Sequence, residues 1–321
     1  MKAAVVRALG RPPQYGEFDE PSPAVDETLV SVTASAVSPI VRRRALGTHY
    51  TSDTPVPFVP GIDGVGRTSD GRRVYFMLPR PPFGSLAERA AVCTSQLAPV
   101  PDSLDDTTAA ASAISGMSCW VPLTLYARIP LGDSVLVNGA TGNAGRMAVQ
   151  VAKHLGARSV IATGRSAPKL REVAALGADV VLSLDQPPDA LRDSVRAAAR
   201  DANVGVVLDY LWGPSAEVLI DALGGPGAPR GGTRVRYVTI GELSGPTISL
   251  PSAKLRSSGV EIVGTGIGSS SIPEIVHGIS EFLQAAASER FRVDLDARPL
   301  ADVESAWADT ATERRVVFTV P

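Results

Sequence analysis

Ser134-Val135-Leu136-Val137-Asn138-Gly139-Ala140-Thr141-Gly142-Asn143-Ala144-Gly145 is the stretch that decides how this chain folds. Its first five residues are a short apolar run of strand type. A glycine-rich turn follows. From Ala144 to Leu155, the residues Met147, Val149, Val151 and Ala152 then offer one apolar face of a helix. Gly156 is placed to cap that helix. Read from Ala140, the turn is a glycine fingerprint with alanine in its first place. The missing side chain at Gly142 lets backbone approach a pyrophosphate, and Gly145 lets helix and strand pack closely. The helix start presents free N–H groups and the positive end of its dipole. Ala140, Thr141, Gly142, Asn143, Ala144 and Gly145 are therefore candidate dinucleotide ligands. A tight strand–helix turn without a ligand is the competing reading.

The chain downstream repeats the same grammar. Ser159–Thr163 reads as a second strand, Leu170–Leu176 as a helix closed by Gly177, and Val180–Leu182 as a third strand. Val204–Leu208 reads as a fourth strand ending at Asp209, Arg234–Ile240 as a fifth and Glu261–Val263 as a sixth. Strands alternating with amphipathic helices predict a parallel, doubly wound sheet over residues 116–285. The second strand also speaks to the dinucleotide. An NAD site places Asp or Glu about 20 residues beyond the fingerprint to hold the ribose 2′-hydroxyl. Here the strand runs into Thr163-Gly164-Arg165-Ser166, with Lys169 after it and no carboxylate. Two cations and a hydroxyl suit a 2′-phosphate, so NADPH is the expected cofactor, with Gly164, Arg165, Ser166 and Lys169 in its site. The bland reading of Arg165 and Lys169 is a solvated helix start.

Residues 1–115 have another texture: many prolines and β-branched alternation, as in Leu29-Val30-Ser31-Val32-Thr33 and Arg73-Val74-Tyr75-Phe76. The final segment, 286–321, returns to strands at Phe291-Arg292-Val293 and Arg315-Val316-Val317-Phe318, and such a terminal strand could rejoin the first domain. Gly224 to Gly232 reads as a flexible loop. The fold class expected is α/β, a strand-rich domain 1–115 completed by 286–321 plus a Rossmann domain.

Composition sets the outer bounds. The chain has 321 residues, enough for two domains, with 44% hydrophobic and 20% charged residues and a net charge of −2. That balance leaves no footprint for nucleic acid or a membrane. Met1 to Arg7 is too short an apolar run for a signal peptide or a span. Two cysteines, Cys93 and Cys119, make no disulfide framework, and a cytoplasmic, soluble protein is expected.

Two catalytic devices are missing. No Tyr-x-x-x-Lys pair occurs. Two cysteines and three histidines, His49, His154 and His277, cannot furnish a catalytic zinc together with a structural one. The expected metal content is none.

With the fingerprint, the domain order and the returning C-terminus side by side, the chain resembles the medium-chain dehydrogenase/reductase superfamily, in its zinc-independent quinone oxidoreductase branch. Met1-Lys2-Ala3 matches the family's opening. Phe58-Val59-Pro60-Gly61-Ile62-Asp63-Gly64-Val65-Gly66 resembles the segment where zinc members carry Gly-His-Glu, with Asp63 where an imidazole would stand. Gly84-Ser85-Leu86-Ala87-Glu88 resembles a family strand, and Ala148-Val149-Gln150-Val151-Ala152-Lys153 continues the family's cofactor unit. The resemblance implies a GroES-like catalytic domain, a Rossmann domain inserted before its last strands, a nicotinamide between them, and hydride transfer from NADPH to a quinone, enone or other activated alkene. It also implies a homodimer paired through Rossmann sheet edges, for which Glu261-Ile262-Val263-Gly264 is the candidate.

By the same resemblance, Ser118 sits where Thr or Ser faces the nicotinamide, and the backbones of Gly241 and Gly266 could line it, a bare loop being the alternative for each. Ser38, in Ala36-Val37-Ser38-Pro39, stands where many members have Asn-Pro; it could hydrogen-bond substrate or serve as a turn serine. Tyr50 lies in a loop resembling the substrate lip and could donate a proton, as could His49, or it could pack as a wall. Tyr210, with Trp212, ends the fourth strand at the carboxyl edge where open α/β sheets bind ligands. The expectation is an NADPH-dependent reductase of a small electrophile; the alternative is an NADPH-binding sensor or scaffold with little catalysis. One consequence is open to direct test. Elemental analysis of the purified protein should find far less than one zinc per chain, and stoichiometric zinc would contradict the ligand count.

Overall fold

The computed structural model describes all residues except 50, 53, 130–131, 225–233 and 310–312. The loop expected at Gly224 to Gly232 therefore lies almost wholly outside the described residues. The chain separates into two units, Met1–Ile114 with Ile272–Pro321, and Ser115–Ser271.

In the first unit, β1 (Lys2–Val5) and β2 (Gln14–Glu17) pair with each other. They are followed by β3 (Glu27–Ala36), α1 (Pro39–Leu46), β4 (Asp63–Thr68), β5 (Arg73–Met77), β6 (Arg89–Cys93) and β7 (Leu97–Pro99). Helix α2 (Asp106–Val121) leads into a π-helical turn, Pro122–Tyr126. The second unit contains β8 (Ser134–Asn138), α3 (Asn143–His154), β9 (Val160–Gly164), α4 (Ala167–Ala175), β10 (Val180–Ser183), α5 (Pro188–Ala202) and β11 (Val204–Asp209). It closes with α6 (Gly213–Gly224), β12 (Val235–Thr239), α7 (Ser252–Arg256) and β13 (Val260–Gly264). The chain then supplies α8 (Ile272–Glu289), β14 (Leu295–Pro299), α9 (Val303–Ala308) and β15 (Arg315–Thr319) to the first unit.

The first unit is built on a sheet of order β14-β15-β3-β4-β5-β7, with β6 also paired to β3. All its pairings are antiparallel except β14 with β15. The returning C-terminus does rejoin this sheet: Val317 opposes Ala36, and Phe318, fully buried, packs with Val5, Val30, Phe76 and Leu86. Fully burying such a side chain contributes about 1.5–3 kcal/mol, which fastens the last strand to the first domain's core.

Three sequence expectations need correction. The expected strand 291–293 is absent, and β14 starts at Leu295. Phe291 instead stacks on Phe282 of α8, ring centroids 5.9 Å apart. Gly84–Glu88 is a bend with one isolated bridge, Ala3 to Ala87, and the strand begins at Arg89. A Cβ at Gly84 would stand 2.2 Å from the Val59 carbonyl oxygen, so two loops touch there backbone to backbone. The second unit ends at Ser271 rather than near residue 285, because α8 buries Ile275, Ile279, Phe282 and Leu283 and lies against β7.

Asp63 is the conspicuous polar residue of the first unit. It opens β4 with no exposed surface. The Tyr75 hydroxyl donates to its Oδ2 at 3.1 Å, while Oδ1 has no hydrogen-bond partner among the described residues. Arg315, also buried, donates to the Val37 carbonyl at 3.2 Å. Burial pushes the Asp63 carboxyl up to about 7, against the opposing pull of the Tyr75 hydrogen bond and the Arg315 charge. The native state therefore holds this proton over a range where the unfolded chain, at about 3.8, has lost it. The associated stability is present below the unfolded value and is lost as pH rises to about 7. Asp63→Asn removes this dependence: in urea unfolding, its stability relative to wild type should improve steadily from pH 4 to pH 7 and level off above. A difference that does not change with pH would mean that Asp63 is ionised throughout.

Candidate dinucleotide site

The second unit's sheet is wholly parallel, with order β10-β9-β8-β11-β12-β13. From β8 the chain first winds outward through β9 and β10, then crosses back to β11 and winds the other way. The reversal lies between β8 and β11, and ligands of such sheets bind beyond the carboxyl ends of the strands at that point. The fingerprint turn leaves the carboxyl end of β8.

The five residues of β8 are buried. Gly139 then takes a left-handed φ of 86°, and α3 starts with Gly142 at its N-cap and no side-chain cap. The first-turn N–H groups of a helix lack partners within it, so α3 offers donors in the manner an anion requires. The three glycines around this turn meet different demands. At Gly145 a Cβ would lie 2.3 Å from the Gly139 carbonyl oxygen and 2.6 Å from Ala140 Cα, so packing of helix on turn requires glycine there. At Gly164 a Cβ would lie 2.4 Å from the Thr141 methyl. At Gly142 a Cβ would meet only the Gly139 oxygen, at 3.9 Å, and φ is −82°. Gly142 is exposed, and nothing among the described residues demands its glycine.

Behind the turn lies a buried polar chain that the sequence reading did not anticipate. The Gly139 N–H donates to Thr163 Oγ1 at 3.1 Å, and Thr163 Oγ1 donates to Asn138 Oδ1 at 2.7 Å. Asn138 Nδ2 donates to Asp209 Oδ1 at 2.8 Å and to Ser215 Oγ at 3.1 Å. Asp209 also accepts from the N–H groups of Leu211 and Trp212, at 2.9 and 3.1 Å, and from the Tyr237 hydroxyl at 2.6 Å. Asn138, Thr163 and Asp209 have no exposed surface. The one available signal was their placement, each at or next to the carboxyl end of its strand.

The carboxyl end of β9 carries Arg165, exposed, then Ser166 and Lys169, half-buried. Arg165 makes no ion pair or side-chain hydrogen bond with the described residues. Ser166 is the N-cap residue of α4, yet its hydroxyl makes no capping bond. At the end of β11, Tyr210 is 7% exposed. Its hydroxyl lies 3.4 Å from Ser118 Oγ, so these two expected site residues meet. Burial, and after it the nearby Cys119, holds the Tyr210 phenol well above its ordinary value, so it stays protonated. Trp212 sits edge-on to Tyr237, at 6.4 Å. The Gly241 N–H donates to the Asp209 carbonyl at 3.2 Å, and a Cβ on it would lie 2.6 Å from the Tyr210 carbonyl oxygen. Gly266 lies in the turn after β13, where its N–H donates to Ser269 Oγ at 2.9 Å; the Tyr126 hydroxyl donates to the Ser269 carbonyl at 2.6 Å.

The residues expected to act on substrate stand differently. Tyr50 lies outside the described residues. Ser38 is the N-cap of α1; its Oγ accepts from the Val41 N–H at 3.4 Å and the residue is 2% exposed. His49 Nδ1 is 2.8 Å from Thr51 Oγ1. Cys119 is buried, and that burial pushes its thiol far above the range of a nucleophile. Among the described residues, no three His, Cys, Asp or Glu side chains group as metal ligands, and no helix is long and apolar enough to cross a membrane.

Comparison with known proteins places this architecture. Residues 144–282 match the family model described as zinc-binding dehydrogenase. A probable NADPH-dependent quinone reductase of Emericella nidulans is 30% identical over an alignment of 363 positions that covers 100% of both chains. The chloroplastic NADPH-dependent alkenal/one oxidoreductase of Arabidopsis thaliana is 31% identical over 184 positions, covering 52% of this chain and 47% of that protein. A mycobacterial quinone oxidoreductase of known structure superposes with a TM-score of 0.88 at 24% identity, over 99% of each chain, and so shares the fold. On a match that runs the full length of both proteins, the chain belongs to the medium-chain dehydrogenase/reductase superfamily, in its quinone oxidoreductase-like branch.

Proposed function

We propose that this protein is an NADPH-dependent oxidoreductase that delivers hydride to a quinone, an enone or another activated alkene, and that it does so without a metal. The observation that carries the reading is Gly142. Among the described residues neither packing nor backbone geometry requires glycine there, and its missing side chain leaves the start of α3 open to a phosphate. The named activities of the Emericella and Arabidopsis relatives support the cofactor and the substrate class.

NADPH, when bound, supplies the hydride. The chain's share is to bind, orient and exclude water. Ala140–Gly145 and the first turn of α3 bind the pyrophosphate. Gly164, Arg165, Ser166 and Lys169 surround the adenosine 2′-phosphate, and an Arg165 guanidinium without an ion pair among the described residues, beside an N-cap hydroxyl that makes no capping bond, supports that assignment. Ser118, Tyr210, Gly241 and Gly266 line the nicotinamide half. The Tyr210 phenol keeps its proton and acts as a fixed donor or wall. Tyr50 or solvent supplies the proton that completes reduction, and Ser38 is assigned no part. The reading extends to a cytoplasmic homodimer; the position of β13 as an edge strand of the parallel sheet supports pairing there.

The first test is NADPH oxidation against a panel of quinones and enones. Turnover with at least one member is expected. Binding without turnover across the panel would leave the sensor reading. Glycine variants test the site itself. Gly142→Val should melt close to wild type and lose dinucleotide binding, whereas Gly145→Val should lower the melting temperature sharply. Wild-type affinity in Gly142→Val would put the pyrophosphate elsewhere. Arg165→Ala tests the choice of cofactor. A hydrogen bond to a charged group contributes about 1.5–3 kcal/mol, less at an exposed site. NADPH affinity should therefore fall about tenfold, while NADH affinity holds. Equal losses for both cofactors would contradict the 2′-phosphate assignment.

A further inference from the structure

We infer that Thr163 is a positioning residue for the dinucleotide site. From the neighbouring strand it sets the orientation of the fingerprint turn, and Asp209 locks it in place from the far end of one directed hydrogen-bond chain. The inference rests on the functional reading above.

Thr163 holds two successive turn residues. Its hydroxyl accepts the Gly139 N–H, and its own carbonyl accepts the Ala140 N–H at 2.8 Å. The next residue of each segment adds a third contact, since the Thr141 methyl occupies the space that a side chain on Gly164 would need. Gly139 is also held from the opposite side. Asp209 fixes the Leu211 N–H, and the Leu211 side chain lies so close that a Cβ on Gly139 would approach its Cγ to 2.8 Å. The turn is thus clamped between the ends of β9 and β11.

The polarity of the chain makes the clamp specific. A peptide N–H can only donate, so the Thr163 hydroxyl must accept from Gly139 and spend its single proton on Asn138 Oδ1. Asn138 is then turned with its amide NH2 toward Asp209. The carboxylate collects donors from Asn138, Leu211, Trp212 and Tyr237. No member of this chain lies at the 2′-phosphate corner formed by Arg165, Ser166 and Lys169. Loosening it should disturb what the two nicotinamide dinucleotides share, the pyrophosphate, and leave their relative preference intact.

Thr163→Val keeps the shape but can neither accept nor donate. Thr163→Ser keeps both functions. Each variant is titrated with NADPH and with NADH by fluorescence, at a temperature where circular dichroism shows it folded. The valine variant should weaken both cofactors by about tenfold and by the same factor, and serine should recover most of that loss. Should the valine variant not fold, Thr163→Cys carries the same test, because its thiol is only a weak donor and acceptor; a smaller loss shared by both cofactors is then expected. A valine or cysteine variant that melts lower yet binds both cofactors at wild-type Kd makes Thr163 merely structural and overturns the inference. Loss confined to NADPH overturns it too. If the wild type binds neither dinucleotide, the functional reading falls and this inference falls with it; if the wild type binds and the substitutions leave Kd unchanged, only this inference falls.

Discussion

Everything in the second unit is arranged around the approach of α3 to the turn that precedes it. Gly145 brings the helix to a distance at which any side chain would collide with the Gly139 carbonyl and the Ala140 backbone. That contact fixes where α3 begins and how its first turn is aimed. A dipole and a set of free N–H groups are useful to an anion only if they stay aimed. The buried polar chain behind the turn is the second half of the same constraint. Its groups are stranded without water, so each must find a partner or impose a penalty of about 1–3 kcal/mol, and the pattern that satisfies them all also holds the turn.

The parallel sheet was legible because its central strands β8, β9 and β11 are buried on both faces. Such strands read as continuous apolar runs, as in Val204-Gly205-Val206-Val207-Leu208, and no partner strand is needed to recognise them. The first unit was harder. Its sheet mixes half-buried and buried strands whose partners lie far apart in sequence, such as β15 with β3. Phe291-Arg292-Val293 looked like a strand because an aromatic and a β-branched residue flank an arginine, yet the aromatic serves α8. Local propensity cannot tell an aromatic that faces a sheet from one that faces a helix.

The site was legible in proportion to how far its chemistry resides in a contiguous motif. Ala140–Gly145 and Gly164–Lys169 are short stretches, so a candidate site could be proposed from them without any knowledge of the fold. Asn138, Thr163 and Asp209 are 25 to 71 residues apart and meet only because β8 lies between β9 and β11. Singly, each is an unremarkable polar residue near a strand end. Ser38 is the ambiguous case. A serine before proline can be a ligand or a cap, and its burial and the bond from the Val41 N–H show the cap alone.

The two units treat buried polar groups in contrasting ways, and the contrast separates stability from positioning. The Asp209 side chain collects four donors among the described residues, so it is a junction that several segments must respect at once. Among the described residues Asp63 has one donor, a carboxylate oxygen with no partner, and a buried guanidinium whose charge opposes but does not cancel the effect of burial. A fully partnered buried group restricts the conformations around it, since any movement breaks several bonds together. Asp63, partly partnered and fully buried, has its carboxyl pushed up to about 7. The rigid junction lies beneath the fingerprint turn, where a wandering N–H would weaken the grip on a phosphate. Asp63 lies within an antiparallel sheet already held by its strand pairings, where a change of protonation alters stability.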